Sequence, residues 1–116
     1  AGFVSPKLSR MISGRIKDTY EMWIRQLHHW LVPNRSSMIS LTESEVFNES
    51  DREEIENIMK KFRAFTTKNV FIGLKKDKKM EAEFIDKGLD LWKETKPKLT
   101  KYAKKVNEHW NAKLNK

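Results

Sequence analysis

The residues best suited to proton or metal chemistry are three histidines, and they lie in two short stretches, QLHHWLVP (26–33) and NEHWNAKL (107–114). Each stretch contains a His-Trp pair, His29-Trp30 and His109-Trp110. A metal site on one helix needs ligands at i and i+3 or i+4, where side chains share a face. From His28 those positions hold Ile24, Arg25, Leu31 and Val32. From His29 they hold Arg25, Gln26, Val32 and Pro33, and from His109 Lys105, Val106, Ala112 and Lys113. None is a carboxylate or a second imidazole, and several are cations. His28 and His29 themselves would point about 100° apart on a helix. The reading that remains is an imidazole at the margin of a core.

The carboxylates suggest no acid–base pair either. Glu53, Glu54 and Glu56 crowd the expected start of a helix, where the dipole accounts for them. A di-iron bundle requires Glu-x-x-His motifs. The chain has none, and Glu108-His109 are adjacent. There is no cysteine, hence no disulfide, thiolate ligand or thiol nucleophile. No nucleophile elbow, phosphate-binding lysine loop or dinucleotide-type glycine pattern occurs. The residue set predicts a protein that is not an enzyme and uses no cofactor or metal.

The basic residues are the stronger signal. The net charge is +8, and it is unevenly spread. Residues 43–59 carry seven acids against Arg52, whereas residues 60–79 carry eight basic groups against Asp77. Residues 95–116 carry seven lysines against Glu108. Lys98, Lys101 and Lys105 fall at i, i+3 and i+7 with Lys104 beside them, and Lys75, Lys76, Lys78 and Lys79 crowd one turn. If these groups converge, they form a phosphate-contacting surface for nucleic acid or an acidic protein. No base-reading motif accompanies them, so sequence specificity is not expected. Tryptophan and arginine anchor many interfaces. Arg25, Trp30 and Arg35 are therefore candidates to bind a protein partner or a second copy of the chain.

These side chains need elements to carry them. Leu8, Ile12, Ile16, Tyr20, Trp23, Leu27, Trp30 and Leu31 recur in steps that share one helical face. Ser5-Pro6 is a suitable start and Pro33 a suitable stop, so a helix is expected over 6–31. VPNRSSMISLTES reads as a connection in which Met38, Ile39 and Leu41 tuck under the helices. Thr42 and Glu45 have capping-box spacing for one short turn, and Ser50 and Glu53 for the next long helix. Ile55, Ile58, Met59, Phe62 and Phe65 form its stripe. TTKNVFIGL is rich in β-branched and aromatic residues, which favours a strand. It has no second strand to pair with, and the helical phase continues to Ile72, so a helix to about Leu74 is preferred.

A charged turn, KKDKK, is expected at 75–79. The apolar phase of the last region, 80–116, runs straight through Pro97, which predicts one long kinked helix or two helices split there. Such a helix would be about 55 Å long against about 40 Å for the first, so an overhanging end is expected. Each tryptophan should pack in the core with its indole N–H on a partner at the edge.

Together these elements predict a single all-α domain, a compact bundle of three to four helices. The chain lacks an initiator methionine, which suits a piece cut or processed from a longer protein. No apolar run approaches the ~18 residues that cross a bilayer. The longest, Val70-Phe71-Ile72, stops at Gly73. Residues 6–31 have the layout of an interfacial membrane helix. The core needs the same apolar face, so a membrane surface is the disfavoured partner. Without cysteines or a signal peptide, the expected location is cytoplasmic. The expected function is a binding or assembly module for nucleic acid or a complex containing it. The alternative is a homo-oligomeric or protein–protein scaffold using exposed Trp and Phe.

Overall fold

The computed structural model describes residues 6–75 and 77–114, with side chains from Arg10 onward. It contains α1 (Pro6–Leu31), α2 (Met38–Ser44), α3 (Glu49–Lys75) and α4 (Lys78–Leu114), and no strand among the described residues. Ser5, Leu8 and Lys76, expected in a cap, a core stripe and a basic turn, lie outside the described side chains.

The bundle is elongated, 55 × 25 × 23 Å. Its directions follow from the cross-helix pairs. Ser13, Tyr20 and Leu31 of α1 meet Asn69, Phe62 and Arg52 of α3 in turn, so these helices are antiparallel. Tyr20 and Trp23 of α1 meet Gly88 and Trp92 of α4 in the same chain direction, so α1 and α4 are parallel. α3 is antiparallel to α4, with Phe65 stacked on Phe84 at 4.2 Å and Lys105 bonded to Asp51.

The core is aromatic. Tyr20 makes edge contacts with Phe62, Phe65 and Trp92. Trp30, Phe47 and Tyr102 form a chain with centroid spacings of 5.1 and 5.7 Å. Close approach of α1 to α4 depends on Gly88. The Tyr20 hydroxyl donates to its carbonyl at 2.5 Å. A Cβ there would lie 2.8 Å from Cζ of Phe65, a ring already held by Phe84. Overpacking of this kind typically costs about 1–3 kcal/mol.

Local chemistry sets the helix ends. α3 begins earlier than the Ser50-to-Glu53 spacing suggests. Asn48 Oδ1 accepts from the Asp51 amide at 2.8 Å, and Asp51 Oδ2 accepts from the Asn48 amide at 3.3 Å. This reciprocal cap prevails because Asp51 is also tied to Lys105. α3 then continues to Lys75, so residues 66–74 are helical. The hydroxyls of Thr66 and Thr67 are satisfied on the Arg63 carbonyl. Asp77 caps α4 by accepting from the amides of Lys79 and Met80. α4 is one helix, not two, with Pro97 inside it. Pro97 has no amide to give the carbonyl of Lys93.

α2 corrects the expectation for the connection. Met38 and Ile39 are exposed, while Ser40, Thr42 and Ser44 face inward. The cap is Ser37, whose Oγ accepts from the Ser40 amide, and Thr42 lies within the helix. The reason is hydrogen bonding. Ser40 Oγ accepts from the Asn34 amide at 2.8 Å, and the Arg52 guanidinium donates to both Oγ and the carbonyl of Ser44. The same guanidinium reaches the carbonyls of Leu31 and Phe47 at 3.4 Å. One side chain thus satisfies the carboxyl ends of α1 and α2 together.

Candidate functional site

Parallel packing of α1 and α4 brings both His-Trp pairs toward the same end of the bundle, where Trp30 is the first member of the Trp30–Phe47–Tyr102 chain. Among the described residues no three His, Asp or Glu side chains group to hold an ion. His28 is exposed, and His29 Nδ1 lies 3.5 Å from Ser40 Oγ. His109 is half-buried, with Nε2 unpartnered among the described residues.

Trp30 is only 4 % exposed, so it belongs to the core and presents no surface to a partner. Its Nε1 is buried with no hydrogen-bond partner among the described residues, contrary to the expectation for the indoles. The other tryptophans, Trp23, Trp92 and Trp110, are half-buried against the core. Among the described Phe, Tyr and Trp side chains only Phe71 is exposed outright, at 50 %.

The basic residues fall into two groups. Lys75, Lys78 and Lys79 surround the α3–α4 turn at one tip of the molecule. Lys98, Lys101, Lys104 and Lys105 lie on the second half of α4. From Lys78 to Lys98 is about 30 Å along the helix. The two clusters do not converge on one surface.

Within the second group the lysines are not equivalent. Lys105 Nζ is 2.8 Å from Asp51 Oδ2, whose side chain is buried, and so serves the fold. Burial pushes the Asp51 carboxyl up. The Lys105 ammonium and the Asn48 amide outweigh it, and the group lies below the ordinary carboxylate range. Lys104 is 4.0 Å from Glu108 with both side chains exposed, a pairing of little strength. Lys101 lies over the ring of Tyr102 at 5.0 Å. The Tyr102 hydroxyl itself donates to Glu54, and burial followed by that carboxylate raises its pKa. Lys98 and Lys101 have no carboxylate within 4 Å among the described residues.

Two open grooves flank α3. The one beside α4, about 560 Å³, is lined by Lys60, Lys61 and Lys98 together with Glu53 and Glu54. Lys61 is held by Glu94 at 2.9 Å, which keeps that carboxyl below its usual range. The groove beside α1, about 270 Å³, contains Lys17, Arg25 and Arg63, with Glu21 paired to Lys17 at 3.8 Å. Arg25 and Arg63 have no carboxylate within 4 Å among the described residues. Arg63 counts among the basic residues of 60–79 in the sequence, and the antiparallel register of α1 and α3, not local spacing, sets it in the groove with Arg25. Arg35 is exposed in the connection after α1.

The fold and these surfaces define a class, a basic all-α helical bundle with charged grooves beside α3. No family model, curated protein or solved structure matches the chain significantly.

Proposed function

We propose that the protein is a non-enzymatic binding module that contacts the phosphates of nucleic acid, or of an assembly that holds nucleic acid, through the second half of α4. The observation that carries this reading is the state of Lys98 and Lys101. They have no carboxylate within 4 Å among the described residues, although Lys60, Lys61, Lys104 and Lys105 around them all do. Carboxylates act on them only at longer range, Glu94 on Lys98 and Asp51 on Lys101, so both ammonium groups can contact a phosphate, and such binding releases counterions from the nucleic acid. Lys98 lines the groove that also contains Glu53 and Glu54, whereas Lys101 is exposed.

A salt titration of binding to duplex and single-stranded DNA tests this. Affinity should fall steeply with salt, and each phosphate contact removed should flatten the logarithmic slope by about 0.7–0.9. Lys98→Glu with Lys101→Glu should therefore weaken binding and flatten the slope. Lys105 is left unchanged, because its removal would strand the buried Asp51 carboxylate. Absence of binding at low salt, or binding indifferent to salt, would rule the reading out.

A further inference from the structure

The most apolar run of the chain, Val70-Phe71-Ile72 with Leu74, sits where the core has little use for it. Ile72 alone is buried, at 4 % exposure. Val70, Phe71 and Leu74 are 57 %, 50 % and 80 % exposed. On a helix these three lie within about 100° of one another, so they form a single outward ridge over the last two turns of α3. The ridge ends at one tip of a 55 Å molecule. Lysines collar it. Lys75 Nζ lies 5.5 Å from the centroid of the Phe71 ring. Lys78 and Lys79 follow across the turn, and both are exposed. Lys68 stands one turn before Phe71. Its ammonium is held below the ordinary lysine value, first by Lys87 facing it from α4.

We propose that this tip is a docking surface for an anionic lipid membrane, with Val70, Phe71 and Leu74 entering the headgroup region and Lys68, Lys75, Lys78 and Lys79 meeting the lipid phosphates. Three features select this occupant. An apolar patch rimmed by cations is the pattern of an interfacial anchor, in which insertion and charge act together. The patch is only three side chains wide, with Val70 at the edge of the groove beside α1, far short of the ~800 Å² per partner of a stable protein interface. A bilayer interface needs no such area and deforms around a projecting tip. A second copy of the chain is disfavoured, because tip-to-tip contact would bring the same lysines together. Phosphates of nucleic acid would suit the lysines but leave the aliphatic groups of Val70 and Leu74 unused. The core requirement that argues against α1 as a membrane helix does not apply here, since the ridge is free of the core. This proposal does not rest on the nucleic-acid reading.

Co-sedimentation of the full chain with vesicles of phosphatidylcholine, with and without phosphatidylserine, tests it. Binding is expected to the phosphatidylserine vesicles alone. It should fall about tenfold in each of Phe71→Ser and Leu74→Ser, and about fivefold for each of Lys75→Gln and Lys78→Gln. All four residues are exposed, and circular dichroism checks that the variants keep their helix content. No sedimentation with phosphatidylserine vesicles at low salt would overturn the proposal. So would binding that persists in the Phe71→Ser/Leu74→Ser double variant, since charge alone would then account for it. Self-association abolished by that double variant, without vesicle binding, would assign the ridge to a second copy and equally overturn it.

Discussion

Trp30 shows how a residue's type and its environment can disagree. Its ring is needed, because it fills the space between α1 and Phe47. Its N–H is not, since Nε1 is buried without a partner among the described residues. An unpaired buried donor costs about 1–3 kcal/mol, and a phenyl ring carries no such group. Trp30→Phe should therefore leave the free energy of unfolding within about 1 kcal/mol of the original, whereas Trp30→Ala should lose about 3–5 kcal/mol. Urea unfolding of the two variants measures both. Equal losses would mean that the indole nitrogen contributes to the fold. The sequence showed Trp30 on an apolar stripe, which is the local fact. Its missing partner depends on what α2 and Phe47 bring over it.

At the scale of elements, Arg52 links the ends of α1 and α2 to the start of α3. Its planar fork serves acceptors in several directions, which the single ammonium of lysine does not reproduce. Arg52→Ala and Arg52→Lys should each destabilise the protein by about 2 kcal/mol, because buried carbonyls lose charged donors. Hydrogen exchange should show α2 opening first, since hydrogen bonds rather than apolar packing hold it. Rescue by lysine would show that charge alone suffices. Sequence periodicity placed the long helices well. It misjudged α2, because a seven-residue helix is too short for its own pattern to determine which face turns inward. Within it, serine and threonine oxygens outcompeted Met38 and Ile39 for the interior.

For the whole molecule, stability should fall at both extremes of pH, and each limb has an assigned group. Burial pushes the Tyr20 hydroxyl from 10.0 up to about 12. The folded state therefore holds this proton more tightly than the unfolded chain. The stability it contributes is complete below pH 10.0 and is lost as pH rises toward about 12. Asp51 acts in the opposite sense. Its carboxyl is lowered from 3.8, so its contribution is present above that value and is lost as pH falls through the lower folded one. Denaturant midpoints measured against pH should decline on both sides. Tyr20→Phe should soften the alkaline limb and Asp51→Asn the acid limb. An unchanged alkaline limb in Tyr20→Phe would assign that loss to other groups, with Tyr102 the first to examine.

The all-α class, the span of α1 and the helical character of residues 66–74 were legible in the sequence, because helix formation depends on residues three and four apart. The lysine clusters were legible as charge, but not their separation or their pairing. Tertiary packing decided that α1 and α4 run parallel, that Lys105 serves Asp51 while Lys98 and Lys101 have no carboxylate within 4 Å among the described residues, and that the buried Trp30 N–H has no partner among them. It also left Val70, Phe71 and Leu74 in solvent. These outcomes depend on which helix faces meet across 30 to 70 residues of chain, as in the Tyr20–Gly88 and Lys61–Glu94 pairs. Local periodicity shows that an apolar face exists, and only the packed bundle shows whether anything covers it.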